Sequence, residues 1–252
     1  MRQIFCTLVL LAVAIFTTPS QAGVISEFQP DQPGIDGLQQ RIELSGVAGM
    51  SFTGFVLGIG GEAMRFGTVD TVSSVSGTFD TNGLLVATIA DLIDPSHTIV
   101  LVTDYDESAG PTDIDTNDDG IADNLSRLIG IQDAIGISDS TTDLFRLYGS
   151  QLGGQDFNFT GDQPQLVFRD ASVGDWYAIN NPANGQVFDI NANDVAASMN
   201  FNGDPFNPSF GAINPSLVNA VPEPSTGLTF LGLAVVGFLS RVRRQSGRST
   251  KR

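Results

Sequence analysis

The 252-residue chain is poor in the groups on which most site chemistry depends. Its single cysteine, Cys6, falls in the first 22 residues, so the remainder has no thiol, and disulfides, cysteine nucleophiles and cysteine metal sites are excluded there. His97 is the only histidine, which rules out a multi-histidine metal centre and leaves one imidazole as a candidate base. Lysine occurs once, at Lys251. Long helical periodicity is absent, and no apolar run reaches the roughly 20 residues of an ordinary membrane-spanning helix.

What the chain has in excess is acid. All of its 28 acidic residues except Glu223 lie between Gly23 and Ala220, against only Arg41, Arg65, Arg127, Arg146 and Arg169. The resulting net charge of about −22 repels nucleic acid and attracts divalent cations or basic partners.

The two ends carry different signals. At the start, Arg2, an apolar stretch over residues 8–16 and Ser20-Gln21-Ala22 form the charged, apolar and small-x-small parts of a signal peptide, residues 1–22, with the mature protein starting near Gly23. At the other end, Val221, Pro222, Glu223, Pro224 and Ser225 lead into an uncharged apolar run over residues 227–239. As a helix this run is about 20 Å long, shorter than a bilayer core of about 30 Å. Behind it Arg241, Arg243, Arg244, Arg248, Lys251 and Arg252 hold the tail cytoplasmic.

Pro-Glu-Pro, a short transmembrane helix and an arginine cluster together resemble the PEP-CTERM sorting signal of bacterial exported proteins, here over residues 221–252. The resemblance implies recognition and cleavage near residues 222–224 by an exosortase-type membrane protease. It also implies an inner-membrane stage before processing, and then release or attachment at a cell surface rich in exopolysaccharide. The alternative is a plain C-terminal anchor.

Between the ends, short segments rich in β-branched and aromatic residues alternate with Gly, Asn, Asp and Pro clusters, the pattern of an all-β antiparallel sandwich over residues 23–194. Strands are expected at 24–28, 41–44, 52–57, 71–79, 84–89, 98–102, 144–148, 166–168, 176–179 and 187–190, with 84–89 and 98–102 central. One short helix is expected around 123–130. Residues 195–220, rich in Asn, Pro and Phe, read as a linker. The opening strands, with Ile25-Ser26-Glu27, Ile42-Glu43-Leu44 and the glycine-containing 52–57, resemble the start of lamin-tail-like domains, which implies an immunoglobulin-like sandwich over residues 24–102.

One constellation points to chemistry. Asp115, Asn117, Asp119, Gly120 and Asp123 fill positions 1, 3, 5, 6 and 9 of an oxygen-rich loop, residues 113–126, of the kind that supplies six to eight ligands to calcium. It is similar to the Asp-rich calcium repeats of thrombospondin type 3 and dockerin modules, which implies the Ile121 carbonyl as a further ligand. Ser126 stands where such loops place a bidentate glutamate, so Asp113 or an acid from another loop has to help. Asp104, Asp106 and Glu107 are close enough to add ligands. The other reading of the loop is a solvated turn.

Candidates for catalysis are few. His97 follows Pro95-Ser96 without a nucleophile elbow and reads as a hydrogen-bonding residue. Residues 58–61, Gly-Ile-Gly-Gly, have no phosphate-loop lysine and read as a hairpin turn. Glu27 and Glu43 could form a glycosidase carboxylate pair, but on these strands they read as outward-facing sheet residues. Trp176 and Tyr177 could stack on a sugar, or cap a core. The expectation is a non-enzymatic, calcium-stabilised surface or matrix protein associated with exopolysaccharide or the envelope. The alternative is a secreted hydrolase, or an accessory module of a nuclease or phosphatase.

Overall fold

The computed structural model describes residues 23–216 apart from 35–36, 63–64, 93–95, 111, 141, 144–145, 159–162, 180–185 and 198–203. The expected signal peptide and sorting signal lie outside the described residues. Among the described residues no helix is long and apolar enough to cross a membrane.

The β-rich segments become β1 (Val24–Phe28), β2 (Gln39–Ser45), β3 (Ser51–Gly60), β4 (Val69–Thr78), β5 (Leu84–Ala90), β6 (His97–Tyr105), β7 (Leu128–Ile137), β8 (Gln155–Phe157), β9 (Leu166–Arg169), β10 (Trp176–Ile179), β11 (Gln186–Asp189) and β12 (Asp194–Ala197). They form two sheets, a seven-stranded one in the order β12-β11-β10-β9-β1-β2-β5 and a five-stranded one in the order β4-β3-β6-β7-β8. Neighbours run antiparallel except β7 and β8, which pair parallel. The result is an all-β sandwich.

Alternation along the strands sorts the apolar residues into layers. Val56, Ile99, Leu101, Ile135 and Ile137 of the five-stranded sheet meet Ile25, Ile42, Leu44, Val167 and Trp176 of the other in the central core. The intervening residues Leu57, Ile59, Val100, Val102 and Ala134 face the opposite way and form a second apolar cluster outside the five-stranded sheet. A third, small cluster, Leu166, Phe168, Ile179 and Val187, lies outside the seven-stranded sheet. Both outer faces therefore need cover from connecting segments.

One polar clasp crosses the central layer. Asp133 of β7 is 5% exposed and accepts two hydrogen bonds, at 2.8 and 2.9 Å, from the guanidinium of Arg169 on β9. The Ile25 amide of β1 donates to the same carboxylate at 2.8 Å, and Arg169 Nε donates to the Ile25 carbonyl at 2.9 Å. The guanidinium also lies 4.1 Å over the Trp176 ring.

Several expectations are corrected. Residues 123–130 form no helix: they are irregular until β7 begins at Leu128, where Gly130 takes φ 62°. Residues 146–148 are not strand. β5 is an edge strand, whereas β6 is central as expected. Gly58 to Gly60 end β3 and form no hairpin turn. The expected linker starts inside β12, and its residues 204–216 are bound to the seven-stranded sheet.

Candidate functional site

The acidic loop and the C-terminal segment are the covers of the two outer faces, and each brings carboxylates into the protein. The acidic loop joins β6 to β7 and lays Ile114, Ala122 and Leu125 on the outer cluster of the five-stranded sheet, beside Tyr148 and Leu152. Its close approach depends on Gly67, which has φ 66°; a Cβ there would lie 2.7 Å from Asp115. The Ile114 amide donates to the Gly67 carbonyl at 2.8 Å.

Asp115, the first expected calcium ligand, is 0% exposed. Its Oδ1 accepts from the Asp119 amide at 3.0 Å, and its Oδ2 accepts from the Gly120 amide and the Tyr148 hydroxyl at 2.8 Å each. Burial, and then this carboxylate, push the Tyr148 hydroxyl well above the usual tyrosine range, so it stays a donor. Gly120 turns the chain at φ 85° and Asp118 at φ 58°.

A cation already serves this loop. Arg146 Nη1 stands 4.0 Å from Asp115 Oδ2 and donates to the Asp118 carbonyl, while its guanidinium lies 3.6 Å over the Phe66 ring.

The other expected ligands are exposed or half-buried and point to protein donors. Asp119 accepts from the Ile121 amide at 2.9 Å and from Asn117 Nδ2 at 3.0 Å. Asp123 accepts from the Thr116 hydroxyl at 2.8 Å, and Asp113 from the Asp115 amide at 3.0 Å. All are hard oxygen donors suited to calcium. Yet among the described residues no three His, Cys, Asp or Glu side chains converge to hold a metal ion. Asp106 is turned away to cap Ser108, whose amide donates to it at 2.9 Å.

The second carboxylate group is the pair that the sequence placed on the outer face of its strands, and it is covered where an outward-facing sheet residue would be solvated. Glu27 of β1 and Glu43 of β2 are register partners on the outer face of the seven-stranded sheet, and both are 0% exposed. Residues 204–216 run over them as a strap. The Ser209 amide and hydroxyl donate to the two oxygens of Glu27 at 2.9 Å each, and the Gly211 amide donates to Glu43 at 2.7 Å. Arg41 lies 4.5 Å from the Phe210 ring centre. Asn214 Nδ2 donates to the Ser26 and Arg169 carbonyls at 3.0 Å, and Gln29 Nε2 to the Pro205 carbonyl at 2.7 Å.

Burial pushes the Glu27 carboxyl up to about 7 against the opposing Ser209 hydrogen bonds, with Glu43 adding a smaller push. Burial raises Glu43 as well, opposed by the Gly211 amide and the Ser26 hydroxyl and aided by Asp80. No sequence signal marked the pair as covered, because the strap lies 182 residues from Glu27.

Two further candidates, His97 and Trp176, are buried. His97 is buried at the start of β6, its Nδ1 3.3 Å from Gln163 Nε2. Trp176 is 1% exposed and meets Phe28 edge-on at 6.2 Å, so it is core and not a sugar platform. A cleft of about 420 Å³ opens beside the strap, with Ser26, Arg169, Asp170 and Asn214 in its lining. Its charged groups are already engaged, Arg169 by Asp133 and Asp170 by the Ser172 and Val173 amides.

Beyond the strap, residues 220–244 match the family model of the PEP-CTERM protein-sorting motif. The match covers the Pro-Glu-Pro stretch, the apolar run and Arg241, Arg243 and Arg244. It supports an exported protein sorted by exosortase to the cell surface or beyond. No curated protein and no solved structure matches the chain.

Proposed function

We propose that this is a non-enzymatic surface or matrix protein, delivered by its sorting motif and associated with exopolysaccharide or the envelope through its acidic sandwich. The observation that carries the reading is how the buried carboxylates are used. Asp115, Glu27 and Glu43 accept hydrogen bonds from the segments that close the two outer faces. Carboxylates spent on holding covers in place are not presented to a substrate. An exosortase-type protease would act near Pro222, Glu223 and Pro224, after a stage in which the apolar run sits in the inner membrane.

Intact mass of the protein recovered from the native host tests the delivery. Loss of the first 22 residues and of the last thirty or so is expected. A full-length C-terminus recovered from the outer fraction, arginines included, would leave a simple anchor. Co-sedimentation with the host's exopolysaccharide tests the association, and a wholly soluble protein would refute it.

Calcium at residues 113–123 is a second reading, supported by the donor chemistry and spacing. To bind, the ion would draw Asp119 and Asp123 away from Asn117 and Thr116 and share Asp115 with the amides it now holds. At a concentration a hundredfold above its Kd, calcium would add about 2.7 kcal/mol. For a domain of this size that is an increase of about 5–10 °C in Tm. Melting curves in calcium and in chelator that superimpose would leave the loop held by Arg146, the Tyr148 hydroxyl, its own amides and its apolar packing, with no metal.

A further inference from the structure

We propose that the cleft beside the strap is a binding site for an uncharged sugar residue of a neutral polysaccharide. The proposal rests on the polysaccharide reading for the nature of the partner, and on the cleft's own chemistry for the place of binding and the charge of what is bound.

The cleft lies at the end of the seven-stranded sheet where β1 begins, and its volume of about 420 Å³ falls in the range of small-ligand sites, about 300–1,000 Å³. Its floor is one row across three strands. Val24 of β1 pairs with Ser45 of β2, and Ser45 with Leu84 of β5, so the three side chains stand on the same face of the sheet and set a hydroxyl between two apolar groups. The strap adds Ile213 and Asn214 to the lining, and the exposed Asn82 adds a side-chain amide.

The shape is fixed before any ligand arrives. Asn214 Nδ2 donates to the Ser26 hydroxyl at 2.9 Å and to the Ser26 and Arg169 carbonyls at 3.0 Å, while the Ala171 amide and the Ser172 hydroxyl tie the turn after β9 to Pro215 and Ser216 of the strap. Asp80 Oδ1 accepts from the Asn82 and Leu84 amides at 2.8 and 2.9 Å. Binding therefore requires little ordering of the protein.

Charge decides what kind of ligand fits. Arg169 gives Nη2 to Asp133 and Nε to the Ile25 carbonyl, and Asp170, 1% exposed, takes the Ser172 and Val173 amides, so the lining offers no uncompensated charge. An anionic ligand would also meet the field of a domain of about −22. Asp170 is the only acid in the lining, so the cleft has no carboxyl pair of the kind that hydrolyses a glycosidic bond.

What remains for a ligand is neutral and of two kinds. Among the described residues the Asn82 side-chain amide and the Ser45 hydroxyl make no hydrogen bond, and Arg169 Nη1 has only the Gly174 carbonyl at 3.3 Å, in solvent. Asn and Ser each donate and accept, which suits a ligand hydroxyl, itself a donor and an acceptor. Beside them Val24, Leu84 and Ile213 give apolar surface, and Ile213 is held 66% exposed by the anchoring of Asn214 next to it. A pyranose ring pairs the same properties, with C–H groups on its faces and hydroxyls around its edge.

The test uses the purified full-length chain in micelles of a detergent without a sugar headgroup. The host's exopolysaccharide is separated by anion exchange into neutral and acidic fractions, and binding to each is measured by biolayer interferometry for the wild type, Asn82→Ala, Ile213→Ala and the double variant. Both side chains are exposed and residue 82 keeps its backbone bond to Asp80, so melting within about 2 °C of the wild type is expected. Binding to the neutral fraction is expected, with a loss of about tenfold or more in the double variant. Unchanged binding by the folded double variant would overturn the cleft and leave the polysaccharide reading standing. Wild-type binding to the acidic fraction alone would overturn the ligand class, and binding to neither fraction would overturn the polysaccharide reading and the cleft with it.

Discussion

Asp133→Ala is expected to destabilise the domain by about 3–5 kcal/mol, the range found when one partner of a buried ion pair is removed. The substitution takes two hydrogen bonds from Arg169 and leaves the Ile25 amide, deep in the central layer, without its acceptor. Arg169 keeps some solvent, 23% of its side-chain surface, and its stacking on Trp176, which limits the loss to the lower half of the range. At about 2–4 °C per kcal/mol the melting temperature should fall by roughly 10 °C. Urea unfolding should show a lower midpoint with an unchanged slope. Replacing both partners, Asp133→Leu with Arg169→Met, should cost less than the single substitution, because no charge is then left buried alone. A single variant that melts within 2–3 °C of the wild type, on the same scale, would mean that water reaches the clasp and that it does not join the sheets.

Asp115→Ala should have an effect of similar size, and Asp119→Ala a small one. Asp115 accepts from two backbone amides and the Tyr148 hydroxyl at a position closed to solvent, and each buried donor left unmatched costs about 1–3 kcal/mol. The Asp119 amide can fall back on Asn117 Oδ1, 3.3 Å away, but the Gly120 amide and the Tyr148 hydroxyl have no second acceptor at hand. A total of about 3–5 kcal/mol is expected, with exposure of the outer cluster around Ile114 and Leu152. Asp119 is exposed and accepts mainly from its own turn, so its loss should cost about 0.5–1 kcal/mol. Thermal unfolding of the two variants, in calcium and in chelator, decides the matter. Unequal effects in both are expected; equal effects in calcium that separate in chelator would show that the loop is held by something its carboxylates share, which is what a common metal ion would do.

This contrast marks where sequence reading succeeded and where it stopped. The strands that alternate cleanly or run apolar, β1 to β6 and β9 to β11, were legible because period-2 burial and β-branched composition are local properties. β7 was not. Leu125, Leu128 and Ile129 fall at helix-like spacing, and the inner row of the strand carries Asp133 where a sandwich strand ordinarily carries an aliphatic residue. The acids of residues 113–123 stood out in the sequence, but their division into one buried anchor and several exposed neighbours did not. That division depends on Tyr148 and Gly67, 33 and 48 positions from Asp115.

Glu27 and Glu43 were rightly placed on strands and assigned to an outer face. What was invisible was the cover. An Asn- and Pro-rich segment without periodicity gives no local sign that it will lie on a sheet nearly the whole domain away.

The distance between that cover and what it covers has a consequence in time. β1 is the first strand of the described chain, yet it becomes an interior strand only when β9 arrives, and Ser26 meets Asn214 across 188 residues. At about 5–20 residues per second of synthesis, the strap is made some 10–40 s after the strand it closes. Until then β1 and β2 carry an unclosed pair of acids and an open edge, and no rearrangement among the earlier strands can supply the missing partner. Structural completion therefore waits on almost the last residues before the sorting motif. The domain becomes whole at nearly the moment its delivery signal is made, so a chain interrupted short of that signal is also one whose first strands were never sealed.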